Sequence, residues 1–201
     1  QVRSYSMLYD TQLKMAYWVA YPLCNYYTTK NVKRTNAWAY DPSLSSEEQA
    51  TMKRGLNGYD RGHQIPSADR LVTREANEQT FYYTNMTPQI GRGMNQHIWQ
   101  KLETAVRGWS SNIDTLYVVT GAMPTTPENT TISYTQDNDG KQIAVPKYYF
   151  KALCRINRAT GEAQTIAFKL DNRAYPNGES YMNHTLSVAE LERMTGFVFF
   201  P

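Results

Sequence analysis

Aromatic and β-branched residues cluster in four runs, at Met15 to Leu23, Thr115 to Gly121, Lys147 to Ile156 and Ala163 to Leu170. Such side chains fit a pleated, half-buried surface, so these runs predict strands of a central sheet. Asp139-Gly140, between Ile132 to Thr135 and Gln142 to Val145, is the strongest short hairpin signal in the chain. Helical spacing is clearest from Asn95 to Trp109, where Ile98, Trp99, Leu102, Ala105, Val106 and Trp109 make one apolar stripe. Ser187 followed by Glu190 forms a capping box for a helix to about Met194, with Gly196 as its exit. Ala68 to Gln79 also reads as helix, as does the shorter Ser45 to Met52. Strands and helices alternate irregularly. The expected class is therefore α+β, a central, mostly antiparallel sheet flanked by helices, rather than a doubly wound parallel fold.

The chain has 201 residues and no internal repeat or long Pro/Gly/Ser linker, which predicts a single domain over residues 1–201. A hydrophobic share of 41% with 19% charge argues against disorder. The longest nearly unbroken apolar stretch, Ala16 to Cys24, contains Pro22 and is far shorter than the roughly 20 residues that cross a bilayer. No membrane partner is expected. A net charge of +3 is compatible with a polyanionic partner without requiring one. Cys24 and Cys154 have no CxxC partner, which excludes a zinc site built on thiolates; they are either paired or both free. Because the sequence begins at Gln1 without an apolar leader, a processed or trimmed N-terminus is expected.

The densest chemistry lies in Tyr59-Asp60-Arg61-Gly62-His63-Gln64-Ile65-Pro66-Ser67-Ala68-Asp69. Glycine permits a close backbone approach and proline stops the strand, so His63 is presented at a strand end before a helix. Taken alone, His63 reads equally as a satisfied buried histidine and Arg61 as a solvated surface charge. Downstream come Asn85-Met86-Thr87-Pro88-Gln89 and then a helix carrying Asn95, Glu103 and Arg107. Asn95 and Glu103 are about 80° apart on an ideal helix, and Glu103 and Arg107 form an i,i+4 pair, so all three can line one side. That side is also what an ordinary solvent face would offer. Only the full set rises above it. His97 and His184 carry no evident role.

These residues resemble the DNA/RNA non-specific endonucleases with a ββα-metal (His-Me finger) site. Asp60-Arg61-Gly62-His63 followed by Pro66 is similar to the family's DRGH signature, Asn85 to Gln89 to its NxxPQ segment, and Asn95, Trp99 and Glu103 to its N-xxx-W-xxx-E helix. Similarity continues at Trp18 to Tyr21, at Val118 to Gly121 and at Glu190 to Pro201, so nearly the whole chain is covered. The resemblance implies the ββα-metal motif within the fold, with His63 as general base, Asn95 holding a single Mg²⁺ (Mn²⁺ or another divalent ion being alternatives), and Glu103 orienting water from outside the ion's first shell. Among the catalytic group it also implies Arg61 on phosphate and Asn85 holding the site. Arg107 would lie beside Glu103 or the nucleic acid, and Arg34, with Lys33 adjacent as an alternative, matches the upstream phosphate-binding arginine.

The chemistry suits these residue types. A neutral imidazole can take a proton from water, and a hard ion needs few protein oxygens when phosphate supplies the rest. The expected activity is hydrolysis of DNA and RNA to products with 5′-phosphate ends. No motif that reads base edges is present, so phosphate contacts are expected to dominate. The resemblance further implies a secreted or periplasmic location. A homodimer and a protein inhibitor are possible partners. The competing classes are a non-catalytic nucleic-acid-binding module and a toxin nuclease held by an inhibitor.

Overall fold

The computed structural model describes residues 2–201. Strands β1 (Ser6–Asp10) and β2 (Met15–Leu23) form a hairpin whose turn is held by Asp10, its Oδ1 accepting from the backbone N–H groups of Gln12 and Leu13 at 2.9 Å each. A short helix, α1 (Asn25–Thr28), follows. Strand β3 (Asp60–His63), helix α2 (Arg74–Gln79) and strand β4 (Met86–Gln89) come next, and a wide turn over Gly91–Ile98 runs into helix α3 (Trp99–Ser110). Then come β5 (Leu116–Met123), the hairpin of β6 (Ser133–Gln136) and β7 (Gln142–Val145), β8 (Tyr148–Ile156), β9 (Ala163–Asp171) and the two-residue β10 (Thr185–Leu186). Helix α4 (Val188–Thr195) is the last element.

Six strands make the central sheet in the order β1-β2-β5-β8-β9-β10, and every neighbouring pair is antiparallel. The α+β expectation holds. Each face buries its own apolar set, because alternate residues of a strand point to opposite sides. Val118, Tyr149, Leu153, Phe168 and Leu170 pack with Ile98, Trp99, Leu102 and Val106 of the α3 region. On the other face Val119, Phe150, Ala152 and Ala167 pack with Val188 and Leu191 of α4 and with Phe199. Strands β3 and β4 form a separate two-stranded ribbon.

The structure departs from the expected elements where side chains pull the backbone out of regular geometry. Ala68 to Gln79 is not one helix: a short turn over Ser67–Asp69 is separated from α2 by Arg70 to Thr73. Arg70 is completely buried, its guanidinium donating to the Pro22 carbonyl at 2.8 Å and to Ser4 Oγ at 2.9 Å, so its backbone follows the side chain inward. Thr73 then caps α2 by accepting from Ala76 N–H. Ser45 to Met52 forms turns rather than a helix. There, Thr51 N–H is taken by Asp137 Oδ2 at 2.7 Å, and Gln49 Nε2 donates to carbonyls at Asp41, Leu44 and Ser45.

The hairpin prediction holds, but the turn is longer than a two-residue one. Gln136 pairs with Gln142, and Asp137 Oδ1 accepts from the N–H groups of Asp139 and Lys141. Both cysteine thiols, Cys24 and Cys154, are free, which resolves the open alternative. His184 has an acidic partner that sequence spacing did not reveal, Glu179 Oε1 at 2.9 Å.

Candidate active site

The β3–β4 ribbon and α3 build the site. In the ribbon Asp60 lies opposite Gln89 and His63 opposite Met86. Gly62 is required there, since a Cβ at that position would collide with the Gln89 side chain. Beyond β4, Gly93 at φ +83° kinks the chain, and Asn95 N–H bonds back to Ile90 O at 2.9 Å, a spacing one residue wider than in an α-helix. Asn95 is therefore carried on a wide turn that leads into α3, not on the regular helix expected from its sequence. The ideal-helix angle between Asn95 and Glu103 does not apply, yet both reach one cleft.

That cleft, about 230 Å³, is lined by Arg34, Arg61, His63, Asn95, Gln96, Glu103 and Arg107 among others. Six of the seven residues singled out from the sequence meet there. Asn85 does not. It is completely buried, its Oδ1 accepting from Ile65 N–H at 3.0 Å and its Nδ2 donating to Ile65 O and Thr80 O. Its amide is consumed in fixing the segment that follows His63, so the catalytic grouping is corrected to a structural one for this residue. A larger groove of about 690 Å³, between β2, β5 and Phe197 to Pro201, is apolar and holds no histidine or carboxylate.

Aromatic rings seat the cationic groups. Arg61 lies over the Trp38 ring at 3.5 Å and donates through Nη1 to the carbonyls of Met52 and Lys53 at 3.1 Å. Arg34 lies over Phe81 at 4.7 Å and donates to Asn36 Oδ1 at 2.7 Å. The same two rings flank His63 edge-on, with centroids at 5.4 Å from Trp38 and 5.0 Å from Phe81. The aromatic pair thus supports two guanidinium groups and one imidazole, with the ring faces suited to cations. Sequence reasoning missed both rings; Trp38, four residues after Arg34, was the available clue.

The electrostatics follow from this enclosure. Burial, then the Arg34 and Arg61 charges, push the His63 imidazolium down to a pKa of about 3, and a hydrogen bond to the Arg61 backbone pulls more weakly the other way. His63 is therefore neutral at physiological pH. Its Nε2 is buried and without a partner among the described residues. Glu103 moves in the opposite sense for an acid: burial raises its pKa, while Lys151, Arg107 and Arg34 oppose the rise. Arg107 is not the ion partner of Glu103 that i,i+4 spacing suggested. Its Nη1 bonds Asp69 Oδ1 at 2.8 Å, because Asp69 on the turn before Arg70 reaches it directly.

Asn95 is held by a residue whose role the sequence reading left unassigned. Asp60 Oδ2 accepts from Asn95 Nδ2 at 2.9 Å and from Gln96 Nε2 at 2.8 Å. Among titratable groups, no cluster of three or more His, Cys, Asp or Glu able to cage an ion occurs among the described residues. The oxygen donors at hand are the Asn95 amide and the Glu103 carboxylate.

Comparisons with known proteins agree with this arrangement. A nuclease from Syncephalastrum racemosum is 31% identical over 209 residues, covering 98% of this chain and 65% of the relative. The mitochondrial nuclease of Saccharomyces cerevisiae is 29% identical, over 94% of this chain and 61% of its own length. The chain thus spans less than two thirds of these two relatives. A solved structure of an EndoG/EndoGI complex contains a chain with a TM-score of 0.81 and 24% identity, covering all of this chain and 84% of that one. The likeness shows a shared fold. The expectation of a secreted or periplasmic location is overturned, since the yeast relative, a fission yeast nuclease and human endonuclease G all carry mitochondrial names. The family described as DNA/RNA non-specific endonuclease matches residues 1–201, every signature position that carried the resemblance falls on the β3–β4–α3 unit or its supports, and the chain belongs to that family.

Proposed function

We propose that this chain, acting as one domain, hydrolyses phosphodiester bonds in DNA and RNA without base preference and leaves 5′-phosphate and 3′-hydroxyl ends. The observation that carries the reading is the convergence of one neutral imidazole, three guanidinium groups, one amide oxygen and one carboxylate on a single cleft. Guanidinium groups recognise phosphate through fixed, forked donors, and nothing in the cleft is shaped to read base edges. Membership in the nuclease family favours this over a non-catalytic binding module.

His63 is the base. Neutral at physiological pH and flanked by Arg61, it takes a proton from the attacking water, with the adjacent guanidinium stabilising charge that develops on phosphorus. Arg34 and Arg107 hold the scissile phosphate and its neighbours. The donor set fits a hard divalent ion that keeps most of its water, Mg²⁺ in the first instance and Mn²⁺ as an alternative: Asn95 would hold it through Oδ1, and Glu103 would orient water beside it. Bound there, such an ion supplies positive charge to the phosphate and to the departing 3′ oxygen.

The EndoG/EndoGI complex suggests a protein inhibitor as a second class of partner for this cleft, in competition with nucleic acid. Self-association into a homodimer is a separate proposal, tested by sedimentation at rising protein concentration. End-group analysis of RNA digested by the protein tests the central reaction. Products with 5′-phosphate ends support direct attack by water; 2′,3′-cyclic phosphates would show that the ribose hydroxyl is the nucleophile and would overturn it.

A further inference from the structure

Lys151 is a charged residue in the middle of an apolar strand. It sits on β8 opposite Thr120 of β5 and Phe168 of β9, on the sheet face covered by α3, and is completely buried. Its Nζ donates to Thr120 Oγ1 at 2.8 Å and lies 4.8 Å from the Trp99 ring centroid. Thr120 Oγ1 is in turn 3.3 Å from Tyr21 Oη. These contacts solvate an ammonium without neutralising it, and Lys151 is in none of the ion pairs among the described residues. Isolating a full charge in this way is costly unless an opposite charge lies near.

The opposite charge stands one helical turn beyond Trp99. Glu103 projects from α3 over the same region, lines the cleft, and makes no ion pair or side-chain hydrogen bond among the described residues. Asp69, the other acid nearby, is already bonded to Arg107. Two charges without close partners therefore face each other across the floor of the cleft, one inside the sheet and one at its surface. The groups that act on Glu103 are Lys151 from β8, Asp69 from the turn before Arg70, Arg107 from α3 and Arg34 from the loop above. Tyr21 of β2 lies within the same field.

We propose that Lys151 is a positioning residue for the phosphodiesterase site: an ammonium beneath the cleft that holds Glu103 as a carboxylate and keeps it aimed at the substrate. The role rests on the nuclease reading only for its consequence; the charge relationship itself does not. Without Lys151, Glu103 would sit in a half-buried site next to Asp69 with only the two arginines to oppose its protonation. An opposite charge at close range typically shifts a carboxyl by about 1 to 3 pH units, so its loss is expected to raise the Glu103 midpoint by that amount.

The test is a ¹³C carboxyl titration of the metal-free protein by NMR, comparing wild type with Lys151→Met and using Glu103→Gln to assign the resonance. The expected result is an upward shift of the Glu103 midpoint by about one unit or more in Lys151→Met, with the acidic limb of nuclease turnover moving the same way and KM little changed. An unmoved midpoint overturns the proposal even if activity falls. Should wild type cleave nothing, the titration still reports on Lys151 and only the nuclease reading fails. If Lys151→Met does not fold, the double variant with Glu103→Gln decides: recovery of folding supports compensating charges, and failure in both backgrounds shows that Lys151 serves packing alone.

Discussion

Asp60 Oδ2 accepts the amide N–H of Asn95 at 2.9 Å, and this contact determines which end of that amide faces the cleft. An ionised carboxylate only accepts hydrogen bonds, so Nδ2 must turn toward Asp60 and Oδ1 is left free. The first residue of β3 thereby orients a side chain on the wide turn before α3, which ties the two halves of the site together. Asp60→Ala is expected to raise the Mg²⁺ concentration for half-maximal cleavage by about 10- to 100-fold, the usual penalty for losing a group that orients a metal ligand. Metal titrations of activity check this, and the metal-free affinity for DNA should change little.

His63 links stability to pH. Its folded-state pKa lies below the unfolded value of about 6.5, so the unfolded chain binds more protons between about 3 and 6.5 and this residue makes stability fall as pH drops through that window. Between pH 6.5 and 4.5 the contribution is on the order of 2 kcal/mol. Urea unfolding of His63→Ala should show a correspondingly shallower loss of stability over the same range, whatever its offset at pH 7.5. Parallel curves for the two proteins would show that His63 titrates normally.

The acidic limb of activity is assigned to Glu103 rather than to the histidine. Burial raises the pKa of Glu103, whereas His63 stays neutral well below neutrality. In kcat/KM profiles the limb should therefore lie above the ordinary glutamate value and disappear in the residual activity of Glu103→Gln. Persistence of the same limb in that variant would return it to His63.

Trp38 is expected to matter for binding although it has no titratable group. Replacing it with Leu removes the ring under Arg61 and one of the two rings beside His63. The affinity for DNA should fall, and the slope of log K against log salt should decrease by about one if Arg61 no longer reaches phosphate. Filter binding at several salt concentrations, without metal, measures both.

Asn85 is expected to act on folding. Its three buried side-chain hydrogen bonds secure Ile65 and Thr80, and Asn85→Ala leaves their backbone groups unpaired. A loss of about 2 to 4 kcal/mol in stability is predicted, at roughly 1 to 1.5 kcal/mol for each bond. Chemical denaturation measures this, while the KM of the folded fraction should stay near wild type.

Much of the frame was legible because it rests on local rules. Strands β2, β5, β8 and β9 follow from aromatic and β-branched runs, and α4 has the capping box read from Ser187 and Glu190, with Gly196 at φ +77°. What escaped depends on distant partners. Strand β4 is short, fully buried and includes a proline, so it shows no alternation. The break at Arg70 exists because its guanidinium reaches Ser4 and Pro22. In the site, the motif positions came from resemblance and the cleft assembles them, but the supports at Trp38, Phe81 and Asp60 become visible only through contacts. Lys151 did leave a trace, a single charge among Tyr148, Tyr149, Phe150, Ala152 and Leu153.

The most direct measurement is cleavage of supercoiled plasmid and of structured RNA by wild type and His63→Ala, each in Mg²⁺ and in EDTA. Wild type is predicted to degrade both substrates only with the metal, and His63→Ala to be slower by about 10² to 10⁴ while binding both normally. Normal turnover by His63→Ala, or intact substrates despite tight binding by wild type, would contradict the account.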